Sequence, residues 1–246
     1  MVHVTVALSR TEGRDPPYDH NFLLGSAVYA LIRNHSGEAS SILHDSPFRS
    51  AYVLSEIHRV SGKPKEAWFR VGTSSPAVSK LIGQALTPGT VLTVGPTQFQ
   101  ITGLSVEEPV VRPGEYVTLS PILLRDKENG QSIVHDSPGY VETLQMAANL
   151  QVKNHLKHEG TIRIHHFEPQ AVRKRTIEKR TVLAQKGRFI AEGSEDDLRL
   201  IVNHGVGLSP ALGFGMVVAT PPWRSVFHRI RESSQLATQQ ADRSAT

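Results

Sequence analysis

The chain has 246 residues, 39% of them hydrophobic, with 27 Lys or Arg against 23 Asp or Glu, a formal net charge of +4 and no cysteine. That length allows one large domain or two smaller ones, and the lack of cysteine excludes disulfides and thiolate metal sites. No apolar run approaches the ~18 residues of a membrane helix, and residues 1–8 lack the basic head and continuous apolar stretch of a signal peptide, so a cytoplasmic protein with no membrane association is expected.

Residues 2–8 alternate apolar and polar side chains as a strand does, and residues 10–17 read as a polar loop with prolines. Apolar residues recur at helical spacing over 21–33. Strands follow at 52–60 and 67–73, with a turn at 61–64 between them. Residues 76–86 suit a short helix, with Pro76 acceptable in its first turn, and 91–106 suit a strand pair broken at Gly95-Pro96. Past a boundary at 112–114 the order recurs: a strand over 115–125 with a short partner at 133–135, then a helix over 141–158. Strands are expected at 161–167 and 176–192, the second a hairpin turning at Lys186-Gly187. A helix over 195–204, capped by Ser194 and acidic in its first turn, precedes a last strand at 216–220. The expectation is an α+β protein of two tandem ferredoxin-like (RRM-like) βαββαβ domains, 1–113 and 114–222, with a polar, flexible tail at 223–246.

Charge is unevenly spread. Residues 151–190 hold ten Lys or Arg and three acids, 10 − 3 = +7, leaving the rest near 4 − 7 = −3. Such a segment attracts polyanions, nucleic acid first, an ordinary solvated face being the alternative. Its centre is Arg173-Lys174-Arg175-Thr176-Ile177-Glu178-Lys179-Arg180, read as a loop or hairpin. No stacking aromatic motif of the RNA-binding ferredoxin-like sheets is present.

Four glycines, Gly205, Gly207, Gly213 and Gly215, form a G-x-G, five residues, G-x-G pattern between the last helix and the last strand. Glycine admits positive φ and close backbone approach, and exposed N–H groups in such a loop suit phosphate. The order helix then strand excludes a dinucleotide fingerprint, and no Gly-Lys-Ser/Thr follows to make a P-loop. A tight turn with no ligand is the other reading.

Of twelve histidines, His155 and His158 share a helix and His165-His166 a strand, where neighbours face opposite ways. No metal site and no cofactor are expected. His44, between a helix and a strand, titrates near neutral pH in its ordinary state and suits acid–base work. RNA cleaves itself once its 2′-hydroxyl is deprotonated and the 5′-oxygen is protonated. A histidine, a tyrosine and a cation suffice for that chemistry.

The G-x-G, five residues, G-F-G ending resembles the signature of the Cas-six family, the CRISPR-associated endoribonucleases that cut repeat RNA. Gly25-Ser26-Ala27-Val28-Tyr29, Leu43-His44-Asp45, Tyr52-Val53-Leu54-Ser55, Ser120-Pro121-Ile122 and Leu150-Gln151-Val152-Lys153 extend the resemblance over nearly the whole chain. It implies the tandem ferredoxin-like fold and cleavage of CRISPR repeat RNA by a monomer or homodimer, with a CRISPR effector complex as a candidate further partner. His44 matches the family's acid–base histidine and Tyr29 its assisting tyrosine. Arg49 and Ser50 stand where some members have a lysine, so the cationic role passes to Arg49. Arg173, Lys174, Arg175, Lys179 and Arg180 would hold the RNA backbone, and the glycine loop would lie against phosphates through its main chain. A non-cleaving subunit that caps guide RNA, or a protein binding a small anion, would keep the same basic segment.

Overall fold

The computed structural model describes residues 2–17, 20–35, 51–126, 128–177 and 180–220; for 176, 177 and 180 it describes the backbone alone. In chain order the first sheet and its helices comprise Val2–Glu12 (β1), Asn21–His35 (α1), Val53–Leu54 (β2), His58–Val60 (β3), Lys63–Thr73 (β4), Pro76–Ala85 (α2), Val91–Val94 (β5) and Thr97–Glu107 (β6). β1 lies centrally, antiparallel to β4 on one side and β6 on the other, with Val6 opposite both Phe69 and Leu104. β2 and β3 extend the sheet beyond β4, and β5 pairs with β6. Alternation puts Val4, Val6, Leu8, Phe69 and Val71 on one face, where they bury against Leu24, Val28 and Ile32 of α1 and Ile82 of α2. Pro76 occupies the first turn of α2 and Ser75 caps it.

The second unit repeats the plan with Gly114–Thr118 (β7), Tyr140–Leu156 (α3), Arg163–Ile177 (β10), Arg180–Glu192 (β11), Glu195–His204 (α4) and Val217–Ala219 (β12), in the sheet order β10-β11-β7-β12. Leu124–Arg125 (β8) and Ser132–Ile133 (β9) form a small separate ribbon. The fold is α+β with two ferredoxin-like sheets, the first centred on β4 and β1 and the second on β11 and β7. Ser194 caps α4 by accepting from the Asp197 N–H, and three acids fill its first turn.

Two strand expectations need correction. The strand expected over 115–125 is broken after Thr118: Ser120-Pro121 turns the chain, Ile122 makes a single bridge to Gln185, and Leu124–Arg125 pairs with Ser132–Ile133, at the short partner expected there. The long hairpin does not turn at Lys186-Gly187. The pairing of β10 with β11 runs on to Ile177 and Arg180, and Gly187 lies mid-strand opposite Pro169. A Cβ at Gly187 would collide with the Phe167 ring. That glycine therefore serves a close approach rather than a turn. The basic stretch read as a loop or hairpin lies on this hairpin and is strand through Ile177. The polar tail expected at 223–246 lies outside the described residues.

Candidate nucleic-acid interface

The glycine segment is built on α4. Gly205 ends the helix at φ +79°, with its N–H donating to Ile201 O at 2.9 Å. Gly207, Gly213 and Gly215 also have positive φ, at +93°, +82° and +74°. A Cβ on Gly205 would lie 2.9 Å from the Val53 side chain, and one on Gly207 would lie 2.6 Å from Leu123 O. One on Gly213 would lie 3.1 Å from the Asn21 side chain, and one on Gly215 would strike Val206 O. Both dihedral and space thus demand glycine at these sites. The N–H of Gly215 donates to Pro121 O at 2.8 Å and that of Gly213 to Pro210 O at 3.0 Å. The donors of Gly205, Gly213 and Gly215 are therefore directed at carbonyls of the chain itself, and the expected main-chain phosphate cradle cannot draw on them. All four glycines are buried.

What the segment does is join the two halves. The Asn21 amide donates to Gly213 O and fixes the start of α1. Gly25, one turn on, lies so close to the short 3-10 helix Pro210–Leu212 that a Cβ would be 2.8 Å from Ala211 O. Tyr29 is four residues after Gly25, on the same side of α1, and is half-buried. It neighbours the buried Tyr52, whose hydroxyl pKa is pushed up by burial first and by Tyr29 second. His44 and Arg49 lie outside the described residues. The described chain around them ends at His35 and resumes at Ala51, whose carbonyl accepts from the Thr73 hydroxyl at 2.8 Å.

The basic ribbon divides. Lys174 is exposed and Arg173 half-buried. Lys179 lies outside the described residues, and only the backbone of Arg180 is described. Arg175 does not face solvent. It is 2% exposed, with Nε donating to Asn21 Oδ1 at 3.0 Å and its guanidinium paired with Glu56. Lys186 Nζ reaches the other Glu56 oxygen at 2.8 Å. Burial works to raise the Glu56 carboxyl pKa, and Lys186 and Arg175 together override it, holding the group below its ordinary value. Glu56, Asn21 and Lys186 thus form a polar cluster with Arg175 that sequence reasoning missed. The available signal was Ser55-Glu56 inside the otherwise apolar run from Tyr52 to Ile57.

Residues 106–219 match the family model described as "CRISPR associated protein Cas6, C-terminal". Over that stretch, less than half of the chain, the sequence is similar to the Cas6 family. The match spans the basic ribbon and the glycine segment, and Tyr29, His44 and Arg49 lie ahead of it. No curated protein matches the sequence. A solved structure described as "CRISPR associated protein Cas6" is 17% identical with a TM-score of 0.74, over 89% of this chain and 99% of that one. A Cas6-related protein from Pyrococcus furiosus is 16% identical with a TM-score of 0.73, over 90% and 99%. "An RAMP protein binding different RNA substrates" is 17% identical with a TM-score of 0.71, over 90% and 100%. At these identities the likeness establishes the fold, which this chain shares along nearly its full length.

Several of the described histidines are tied into the structure. The His155 and His204 rings lie 4.2 Å apart, and His204 Nε2 shares a hydrogen bond with Ser74 Oγ across the two halves. Burial, then His204 and Lys157, lower the His155 pKa to about 4. His158 lies 3.2 Å from Asp197, and His165 3.1 Å from Glu192. Among the described residues no three His, Asp or Glu side chains are grouped to hold a metal, and no helix is long and apolar enough to cross a membrane.

Proposed function

We propose that this chain is a Cas6-type, metal-independent endoribonuclease that cuts precursor CRISPR RNA within its repeats. The family relation supports CRISPR RNA processing in general, and cleavage is the finer reading. In the step, the 2′-oxygen attacks the adjacent phosphorus as its proton leaves to a base. The bond to the 5′-oxygen breaks as that oxygen takes a proton. The products are a 2′,3′-cyclic phosphate and a 5′-hydroxyl. His44 acts as general base or acid, Tyr29 orients it or passes the proton, and Arg49 stabilises the phosphorane charge. Arg173, Lys174, Lys179 and Arg180 hold the RNA backbone, while Arg175 and the four glycines hold the frame.

One observation carries the reading most. The glycine segment clasps both the start of α1 and the strand at Val53, so it braces the two elements between which His44 is threaded, with Tyr29 on the clasped helix. A family signature that packs against that connection has a reason to accompany the chemistry.

The test is cleavage of a labelled repeat RNA from the same genome in EDTA. Wild type, His44→Ala and a substrate with a 2′-deoxy at the cut site are compared. The expected outcome is cutting by wild type alone, with each change reducing the rate at least a hundredfold, as loss of general acid–base catalysis does at roughly 10²–10⁴-fold. Tight binding without cutting would instead establish a capping subunit, a role favoured by the similarity to an RNA-binding RAMP protein. Cutting that survives His44→Ala would remove His44 from the mechanism.

A further inference from the structure

The first sheet is longer than the helix that covers it. β1 runs on to Glu12 and the β3–β4 hairpin reaches back to Val60 and Lys63, whereas α1 starts only at Asn21. Under this overhang lies a cavity of about 180 Å³. Pro17, Ile57, Pro64, Ala67 and Phe99 supply apolar lining, and β10 of the second half closes it with Arg173 and Arg175.

A volume below the ~300–1,000 Å³ of pockets for drug-sized ligands suits one ring-sized fragment. The polar lining narrows the chemistry. Three carboxylates, Asp15, Glu56 and Glu66, line the cavity with five cationic side chains, of which Arg10, Arg59 and Arg175 are paired with Asp15 or Glu56, so a phosphate inside would have to displace a carboxylate to reach them. A neutral group with N–H donors would not. Asp15 bridges Arg10 and Arg59 and is 48% exposed, and Glu66 is tied to Lys63 at 3.0 Å. Each carboxylate has about four acceptor sites, so capacity remains for a further donor. His20 is fixed in orientation: Nδ1–H donates to Pro17 O at 2.9 Å and Nε2 accepts from the Ile57 N–H at 3.0 Å. At the mouth, Arg59 is 62% exposed. Lys65 is exposed too, with no ion-pair partner among the described residues.

We propose that this cavity takes a single unpaired nucleobase of the bound RNA. Its amino edge turns to Asp15 and Glu66, and its flanking phosphates lie on Lys65 and Arg59. Unpaired RNA bases are splayed out and read in this manner, against carboxylates and on guanidinium planes. The inference rests on the RNA-processing reading above and adds a place where sequence is read.

The experiment is an abasic scan. A repeat RNA with a 2′-deoxy at the mapped cut site is made abasic at one position at a time, and its affinity is measured by anisotropy. Wild type is expected to lose about tenfold at one position, within the range that a stacked base contributes, and to prefer an amino-bearing base over uracil there. Lys65→Glu and Arg59→Ala bind the intact RNA more weakly and lose less than twofold at that position. Lys80→Glu, on α2 and away from the cavity lining, keeps the full sensitivity. A flat scan on a wild type that binds the RNA overturns the base site and leaves the RNA reading standing. Unchanged sensitivity in both cavity variants does the same. Failure of wild type to bind repeat RNA overturns both.

Discussion

Gly215 and Gly89 both have positive φ, +74° and +92°, but their surroundings differ. A side chain at Gly215 would meet the carbonyl of Val206, which itself receives no slack because Val206 N–H donates to Gly215 O at 2.9 Å. Around Gly89 nothing lies within 4 Å. Left-handed backbone alone costs an alanine about 1–2 kcal/mol. Gly89→Ala is expected to lose about that much in urea unfolding, and Gly215→Ala at least about 3 kcal/mol or to fail to fold. Equal losses would mean that the segment yields easily and that its glycines are not there for packing. Half of this was legible beforehand. Four glycines at fixed spacing mark positions of special backbone, and nothing in their spacing names the groups they approach. Val53, Leu123 and Asn21 are supplied by distant parts of the chain, and the sequence pattern therefore pointed toward an external phosphate instead of the protein's own main chain.

The β10–β11 ribbon makes the same distinction among elements. Arg173, Lys174 and Arg175 look alike in sequence, but strand alternation sends Lys174 outward and Arg175 into the joint between the halves. Arg175→Ala leaves the buried Glu56 carboxylate short of a partner, a change worth about 3–5 kcal/mol when a buried pair is broken. Lys174→Ala should change stability by less than about 0.5 kcal/mol. On RNA the order reverses for the salt dependence: Lys174→Ala lowers the slope of log affinity against log salt by about 0.7–0.9 for each phosphate that the lysine neutralises. An unchanged slope would take Lys174 off the RNA. The elements whose signals are local were readable, among them α4 with its Ser194 cap and the β5–β6 pair broken at Gly95. The ribbon turn was not, because Lys186-Gly187 carries turn chemistry while Phe167, from the facing strand, is what requires the glycine. Nor was the role of Arg175, whose partner Glu56 is 119 residues away.

The whole molecule is held by polar bonds that cross between the halves, and one of them titrates. His3 of β1 is fully buried, and its Nε2–H donates to Val202 O of α4 at 3.1 Å. Its Nδ1 has no partner and lies out of reach of solvent. Burial first, with Arg70 assisting against the bond to Val202, lowers its pKa to about 4. A histidine whose folded pKa lies below its unfolded value of about 6.5 holds its full stabilising effect above pH 6.5 and loses it as pH falls toward 4. Between pH 7 and pH 5 the loss from this one ring is about 2 kcal/mol by linkage. His58, also lowered to about 4 by burial and then Lys186, acts in the same direction. Urea midpoints at the two pH values should therefore fall steeply for wild type. For His3→Gln, which keeps a donor and cannot titrate, the midpoint should start lower at pH 7 and fall less. If both proteins lose the same amount, the His3 ring takes up its proton without strain and the joint does not sense acid. The expected outcome ties assembly to pH: in mild acid the two sheets lose the bond that sets β1 against α4, and with it the alignment of the clasp that braces α1 and Val53.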